Sequence, residues 1–174
     1  MRLIDTPLDG VILVEQDRLG DERGYFARTY DARLLGPIAQ MSTSFSVRAG
    51  TLRGLHYQAE PHWESKLVRC TRGAIFDVAV DLRPGSSTLH RWFGAELSAE
   101  NGCAMLIAAG FGHGFQTLAD ETEVLYAMDA PYVAGTAGGV RWDDSAFAIR
   151  WPDAPPGGLT ISARDAGYPD VPGP

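Results

Sequence analysis

The sequence predicts an all-β protein, a sandwich or a barrel, on three observations. Its 174 residues include 20 Gly and 11 Pro, dispersed along the chain, and each interrupts a helix. Its apolar residues recur with period two or in short solid runs, the pattern of strands. Roughly ten such segments are separated by turn signals about every 8–12 residues, as in sandwiches and barrels.

The first strand is read at Gly10–Glu15, followed by a turn at Asp21–Gly24 and a second strand at Gly24–Tyr30. Asp31–Gln40 is the one stretch that suits a short helix or turn. Ser44–Val47 and Thr51–Tyr57 read as strands around Ala49-Gly50, and Lys66–Cys70 and Ala74–Leu82 as a hairpin across Thr71-Arg72-Gly73. Strict alternation puts Arg53, Leu55 and Tyr57 on one face and Gly54, His56 and Gln58 on the other. On the later strand, Asp77 and Asp81 share a face, which points to a polar cavity rather than a dry core. Further strands are expected at Arg91–Leu97, Ala104–Ala108, Gly114–Thr117 and Glu123–Met128, with short ones at Arg141-Trp142 and Ile149–Trp151. The tail from Pro152 has one strand-like patch, Leu159–Ile161. No repeat or linker divides the chain, so a single domain over residues 1–174 is expected.

Composition narrows the function. An apolar share of 45% excludes a disordered chain, and a net charge of −7 disfavours binding of nucleic acid as a polymer. It leaves room for a local basic pocket holding one small anion, and Arg23, Arg53, Lys66 and Arg69 are the candidates. Cys70 and Cys103 lie in apolar runs and read as reduced core residues of a cytoplasmic protein. No signal peptide is read at the N-terminus, and no apolar run approaches 18 residues, so no membrane span is expected. Neither nucleotide fingerprint nor a nucleophile elbow occurs.

Arg53-Gly54-Leu55-His56-Tyr57-Gln58 packs a cation, an imidazole, a phenol and an amide into six residues, and Gly110–Phe115 sets His113 among glycines and aromatics. Gly54, Gly112 and Gly114 would leave room for a ligand beside these histidines. Hydrogen-bonded barrel histidines are the plain alternative. A metal set could be drawn from His56, His62, Glu64 and His113, but no His-x-His pair places two ligands on one strand face.

Several segments together resemble the dTDP-4-dehydrorhamnose 3,5-epimerases (the RmlC type): DERGYF at 21–26, GTLRGLHYQ at 50–58, KLVRCTRGAIFDVAVDLRPGS at 66–86, LSAENG at 97–102, GFGHGF at 110–115, Tyr126–Tyr132, VRWDD at 140–144 and Ser162–Asp165. They cover nearly the whole chain in order. The resemblance implies a cupin-like double-stranded β jelly-roll barrel with short peripheral helices, acting as a homodimer on a nucleotide-linked 4-keto-6-deoxyhexose. It implies inversion at C3, C5 or both, with no metal and no cofactor. By position, His56 would be the base, Asp165 its orienting carboxylate, Tyr132 the acid and Lys66 the stabiliser of the enolate oxygen. His113 would bind the sugar and Arg53 the diphosphate, with Gln40 and Gln58 also in the pocket. Arg23 and Phe26 would reach in from the partner subunit.

The sequence departs from the family pattern at Arg28, Thr43, Ala127 and Ala137, none of them in the proposed acid–base set. These departures leave open the sugar, the nucleotide and the carbon inverted. The alternatives are a metal-dependent cupin enzyme and a sugar-nucleotide-binding barrel without catalysis.

Overall fold

The computed structural model describes residues 1–171. In chain order the strands are β1 (Arg2–Asp5), β2 (Val11–Glu15), β3 (Arg18–Asp21) and β4 (Gly24–Ala27), then helix α1 (Ala32–Leu35). There follow β5 (Gln40–Ser46), β6 (Thr51–Gln58), β7 (Lys66–Arg72), β8 (Ala74–Asp81), β9 (Trp92–Ser98) and β10 (Ala104–Ile107). The chain continues through β11 (Phe111–Thr117), β12 (Thr122–Met128), β13 (Ala137–Gly139), β14 (Thr160–Ile161) and helix α2 (Ala163–Ala166). The architecture is the all-β jelly roll that the sequence predicts. One sheet runs β1-β2-β10-β7-β12-β5 and the other β13-β6-β11-β8-β9, with β14 added beside β6. β3 and β4 form a separate ribbon.

Strand sequences explain the layering. On β8, Ile75 and Ala79 face the space between the sheets and pack with Val68, Cys70, Met105, Ile107, Phe115 and Val124. Phe76, Val78 and Val80 face outward, where Leu55 and the chain's last third cover them with Val140, Phe147, Ile149 and Trp151. This cover corrects the reading of Arg141-Trp142 and Ile149–Trp151 as strands. They are irregular, and the indole N–H of Trp151 donates to the carbonyl of Trp142 at 2.9 Å instead of joining a ladder. In Asp31–Gln40 the helical part is the single turn of α1, which Asp31 caps through the N–H of Arg33, and Gln40 already opens β5.

The 66–82 hairpin is also corrected. β7 pairs with β10 and β12, whereas β8 pairs with β11 and β9. Gly73, at φ +76°, carries the chain from one sheet to the other. A turn signal says only that the chain reverses, and in a jelly roll sequence neighbours often lie in opposite sheets. Asp81 likewise faces no cavity. It accepts from Arg83 Nε at 2.9 Å and from the hydroxyls of Ser86 and Thr88 at 2.6 Å each, closing the turn after β8. Burial pushes its carboxyl up, but these donors outweigh it and hold the group well below the usual carboxylate range.

Candidate active site

The site begins with a fault in β6. His56 stands opposite His113 of β11, but Phe115 stands opposite Arg53, so two residues of β6, Gly54 and Leu55, face the single Gly114 of β11. This is a β-bulge. It breaks the expected alternation, because Leu55 and Tyr57 still pack outward while Arg53 turns toward the facing sheet. There its Nε reaches Ser46 Oγ at 3.3 Å and its Nη2 the carbonyl of Phe45 at 3.1 Å. Arg53 thus joins His56 on the inner side.

Glycine makes the bulge possible by close backbone approach. Gly54 has φ +132°, and a Cβ there would lie 2.5 Å from Gly114 Cα. A Cβ on Gly114 would lie 2.8 Å from the carbonyl oxygen of Arg53. The space that these glycines save is therefore filled by backbone rather than by a ligand, and Gly112 faces the Leu82 side chain.

The tail supplies the partner of His56. β14 runs parallel to the start of β6, with Thr160 opposite Thr51 and Ile161 opposite Leu52. Ser162 then caps α2, its hydroxyl accepting from the N–H of Asp165 at 3.0 Å, and that turn brings the carboxylate back over β6. Asp165 Oδ1 lies 2.9 Å from His56 Nε2, and Oδ2 accepts from the N–H of Gly54 at 3.2 Å. Burial is the largest influence on the His56 pKa and lowers it; Asp165 opposes it, His113 and Lys66 lower it further, and the net shift is downward. Tyr168 packs edge-on against the imidazole with ring centroids 5.9 Å apart.

His56, Gln58 and Tyr132 line one cavity of about 230 Å³ with Tyr57, Glu64, Ala137, Gly138 and Arg164. Lys66 opens β7 and is buried, its ammonium 3.0 Å from Glu64 Oε1. His113, also buried, holds Asp77 Oδ1 at 2.7 Å from its Nε2. The phenol of Tyr126 lies edge-on to His113, and burial pushes its pKa well above the ordinary value. The polar atoms of Gln58 are engaged by the protein itself, and Gln40 Oε1 accepts the N–H of Tyr132 at 3.0 Å.

Other candidates lie apart. Arg53 lines a separate groove of about 450 Å³ with Arg48 and Thr160. Arg23 and Phe26 sit on the β3–β4 ribbon, away from the His56 cavity of their own chain. Arg23 is paired with Asp21, and Phe26 shares a groove of about 600 Å³ with Arg28 and Asp31. Arg69 is no anion ligand: it is buried and donates to the carbonyls of Gly102 at 2.6 Å and Thr29 at 3.4 Å. The metal set is not assembled, since His56, His113 and Glu64 are each tied to a different partner. Among the described residues no three His, Cys, Asp or Glu are grouped to hold a metal, and no helix is long and apolar enough to cross a membrane.

Sequence reasoning missed Tyr168, Arg164 and the Glu64–Lys66 contact, and left Asp77 without its partner. Only Glu64 gave a signal, as a carboxylate two residues from Lys66. Of the positions that depart from the family pattern, Ala137 lines the cavity, Ala127 is buried, Arg28 pairs with Asp31 at 3.2 Å, and Thr43 stands opposite Leu125.

The profile of a family described as dTDP-4-dehydrorhamnose 3,5-epimerase matches residues 5–172. A dTDP-4-dehydrorhamnose 3,5-epimerase from Sinorhizobium fredii is 43% identical over 167 residues, covering 92% of this chain and 85% of the relative. The crystal structure of the Bacillus anthracis enzyme of the same name, with TDP and PPi bound, superposes with a TM-score of 0.92 at 38% identity, over 98% of this chain and 99% of that one. A dTDP-6-deoxy-D-glucose-3,5-epimerase from Legionella pneumophila, in complex with dTDP-4-keto-L-rhamnose, gives a TM-score of 0.90 at 35% identity, over 97% of this chain and 92% of that one. With profile, sequence and barrel agreeing along almost its whole length, the chain belongs to the dTDP-4-dehydrorhamnose 3,5-epimerase family.

Proposed function

We propose that the chain inverts C3, C5 or both in a dTDP-linked 4-keto-6-deoxyhexose by base removal of a proton and its return to the opposite face. The observation that carries this reading is the His56–Asp165 contact of 2.9 Å on the wall of the cavity that Tyr132 also lines. The carboxylate accepts Nε2–H and so leaves the neutral imidazole with its lone pair on Nδ1. That nitrogen takes the proton next to the ketone, and the C–H electron pair moves into an enolate. Lys66 stabilises the enolate oxygen. The Tyr132 hydroxyl then gives its proton to the carbon from the other side, and the ketone re-forms. Solvent returns a proton to the tyrosinate and takes one from the imidazolium. No electron is gained or lost, so this reading needs no redox cofactor.

Arg53 would hold the diphosphate, with His113 toward the sugar. Arg23 and Phe26 would serve the partner's site, which accounts for a ribbon that exposes Leu19 and Phe26 at 70% and 71%. We read residues 1–174 as one such domain. The free Cys70 and Cys103, with burial pushing the Cys70 thiol up to about 11, suit a reducing cytoplasm.

The test is solvent deuterium exchange at C3 and C5 of dTDP-4-keto-6-deoxyglucose, followed separately at each carbon. Incorporation with inversion is expected. Absence of exchange with this and other nucleotide 4-keto sugars would overturn the reading, and binding without exchange would favour the non-catalytic barrel.

A further inference from the structure

We propose that Glu64 is a positioning residue that couples the Lys66 ammonium to the loop carrying Tyr132. The inference rests on the epimerase reading above. Glu64 Oε1 lies 3.0 Å from Lys66 Nζ, with side chains only 12% and 10% exposed. Its other oxygen, Oε2, accepts from Gln58 Nε2 at 2.9 Å. The far end of Gln58 fixes the orientation of that amide. Its Oε1 accepts the N–H of Val133 at 2.9 Å and the hydroxyl of Thr136 at 3.2 Å, so its NH₂ must face Glu64. The same NH₂ reaches the carbonyl of Pro131 at 3.4 Å. Gln58 thereby holds the residues on both sides of Tyr132.

Tyr132 is 56% exposed, so the aim of its hydroxyl depends on how its backbone is held. Glu64 bears on both charge-handling groups at once, through the ammonium for the enolate and through the loop for the returning proton. Only a carboxylate suits this place. Both its partners are donors, and it accepts on both oxygens, whereas an amide offers one acceptor and one donor. Glu64→Gln therefore sets donor against donor at one of the two contacts, and Glu64→Ala leaves both partners unmatched.

The experiment measures kcat, KM and the ratio of deuterium exchange to inversion with dTDP-4-keto-6-deoxyglucose for wild type, Glu64→Gln, Glu64→Asp and Glu64→Ala. Displacement of reacting groups by about 1 Å costs roughly 100-fold, so Glu64→Ala should lose that order in kcat. KM should hold within about twofold, because the lost interaction acts in the reaction rather than in binding. The exchange-to-inversion ratio should rise, since a loosened loop impairs Tyr132 more than His56. Glu64→Asp, which keeps both acceptors on a shorter stem, should recover part of the rate. A purely structural Glu64 would change the amount of folded protein and leave kcat and the ratio per folded molecule untouched, and that result would overturn the proposal. Should Glu64→Ala not fold, the near-isosteric Glu64→Gln decides by the same two readouts. If wild type turns the substrate over and the variants match it, this proposal alone falls. If wild type shows no exchange, the epimerase reading falls and takes this one with it.

Discussion

Asp165 meets His56 at 2.9 Å from 109 residues away along the chain. The contact and the burial around it together bear on the pH dependence expected of the reaction. The base must be neutral to act, and burial holds the His56 pKa below its ordinary value of about 6.5. The acid limb of kcat/KM should therefore lie below about pH 6.5. Asp165→Asn removes an anion that favours the imidazolium, so the limb should move to still lower pH while the plateau drops. A pH–rate series on both proteins checks the sign. A limb that moves upward in Asp165→Asn would refute the pairing.

His56 and Tyr132 are expected to separate the two halves of the reaction. His56→Ala should abolish exchange, with a loss on the order of 100- to 10,000-fold for a missing general base. Tyr132→Phe should still exchange deuterium but invert poorly. Proton NMR in deuterated solvent reads both at once, and full exchange by His56→Ala would reassign the base.

The distinction between legible and hidden features follows from how far each interaction reaches. The strands from β5 to β12 announce themselves, β5 and β11 only in part, through alternation or a short apolar run within each segment, which is local. β7 and β8 do not pair as a hairpin because pairing is decided between strands far apart, where turn residues such as Gly73 carry no information. Alternation puts Arg53 on the wrong face because one inserted residue shifts the phase of everything before it. The His56–Asp165 pair could be stated only from family resemblance, since a two-residue strand, β14, and a single helical turn bring the carboxylate home. Tyr168, which packs on His56, has no spacing to any motif.

The glycines of the bulge should be intolerant of side chains. Gly54→Ala places a Cβ 2.5 Å from Gly114 Cα and demands a strained φ of +132°. Strain of this kind costs about 1–3 kcal/mol before the clash is counted. Gly157→Ala is the control: a Cβ there meets nothing within 4 Å, and the change should stay within about 0.5 kcal/mol. Urea unfolding of the two variants gives the comparison, and equal midpoints would deny the close approach.

Asp77 should matter to stability through His113. Both are buried in the barrel and joined at 2.7 Å. Asp77→Ala leaves the imidazole Nε2 without its partner, at a cost of about 1–3 kcal/mol. For a chain of this length the melting temperature should fall by roughly 2–4 °C per kcal/mol. Calorimetry on Asp77→Ala measures it, and an unchanged melting temperature would show that the pair contributes nothing net.

The exposed ribbon makes a prediction about assembly. If Arg23 and Phe26 complete the site of a second copy, neither a chain lacking His56 nor a chain lacking Arg23 and Phe26 should be active alone. Mixed, they should recover activity, because a dimer of one of each has one site in which His56, Arg23 and Phe26 are all present. Random reassortment makes half the dimers mixed, each with one whole site of two, so roughly a quarter of wild-type activity is expected. The experiment unfolds and refolds His56→Ala together with the Arg23→Ala/Phe26→Ala chain, then measures turnover and mass by light scattering. A mixture no more active than its parts would refute the shared site, and a monomeric mass would remove it altogether.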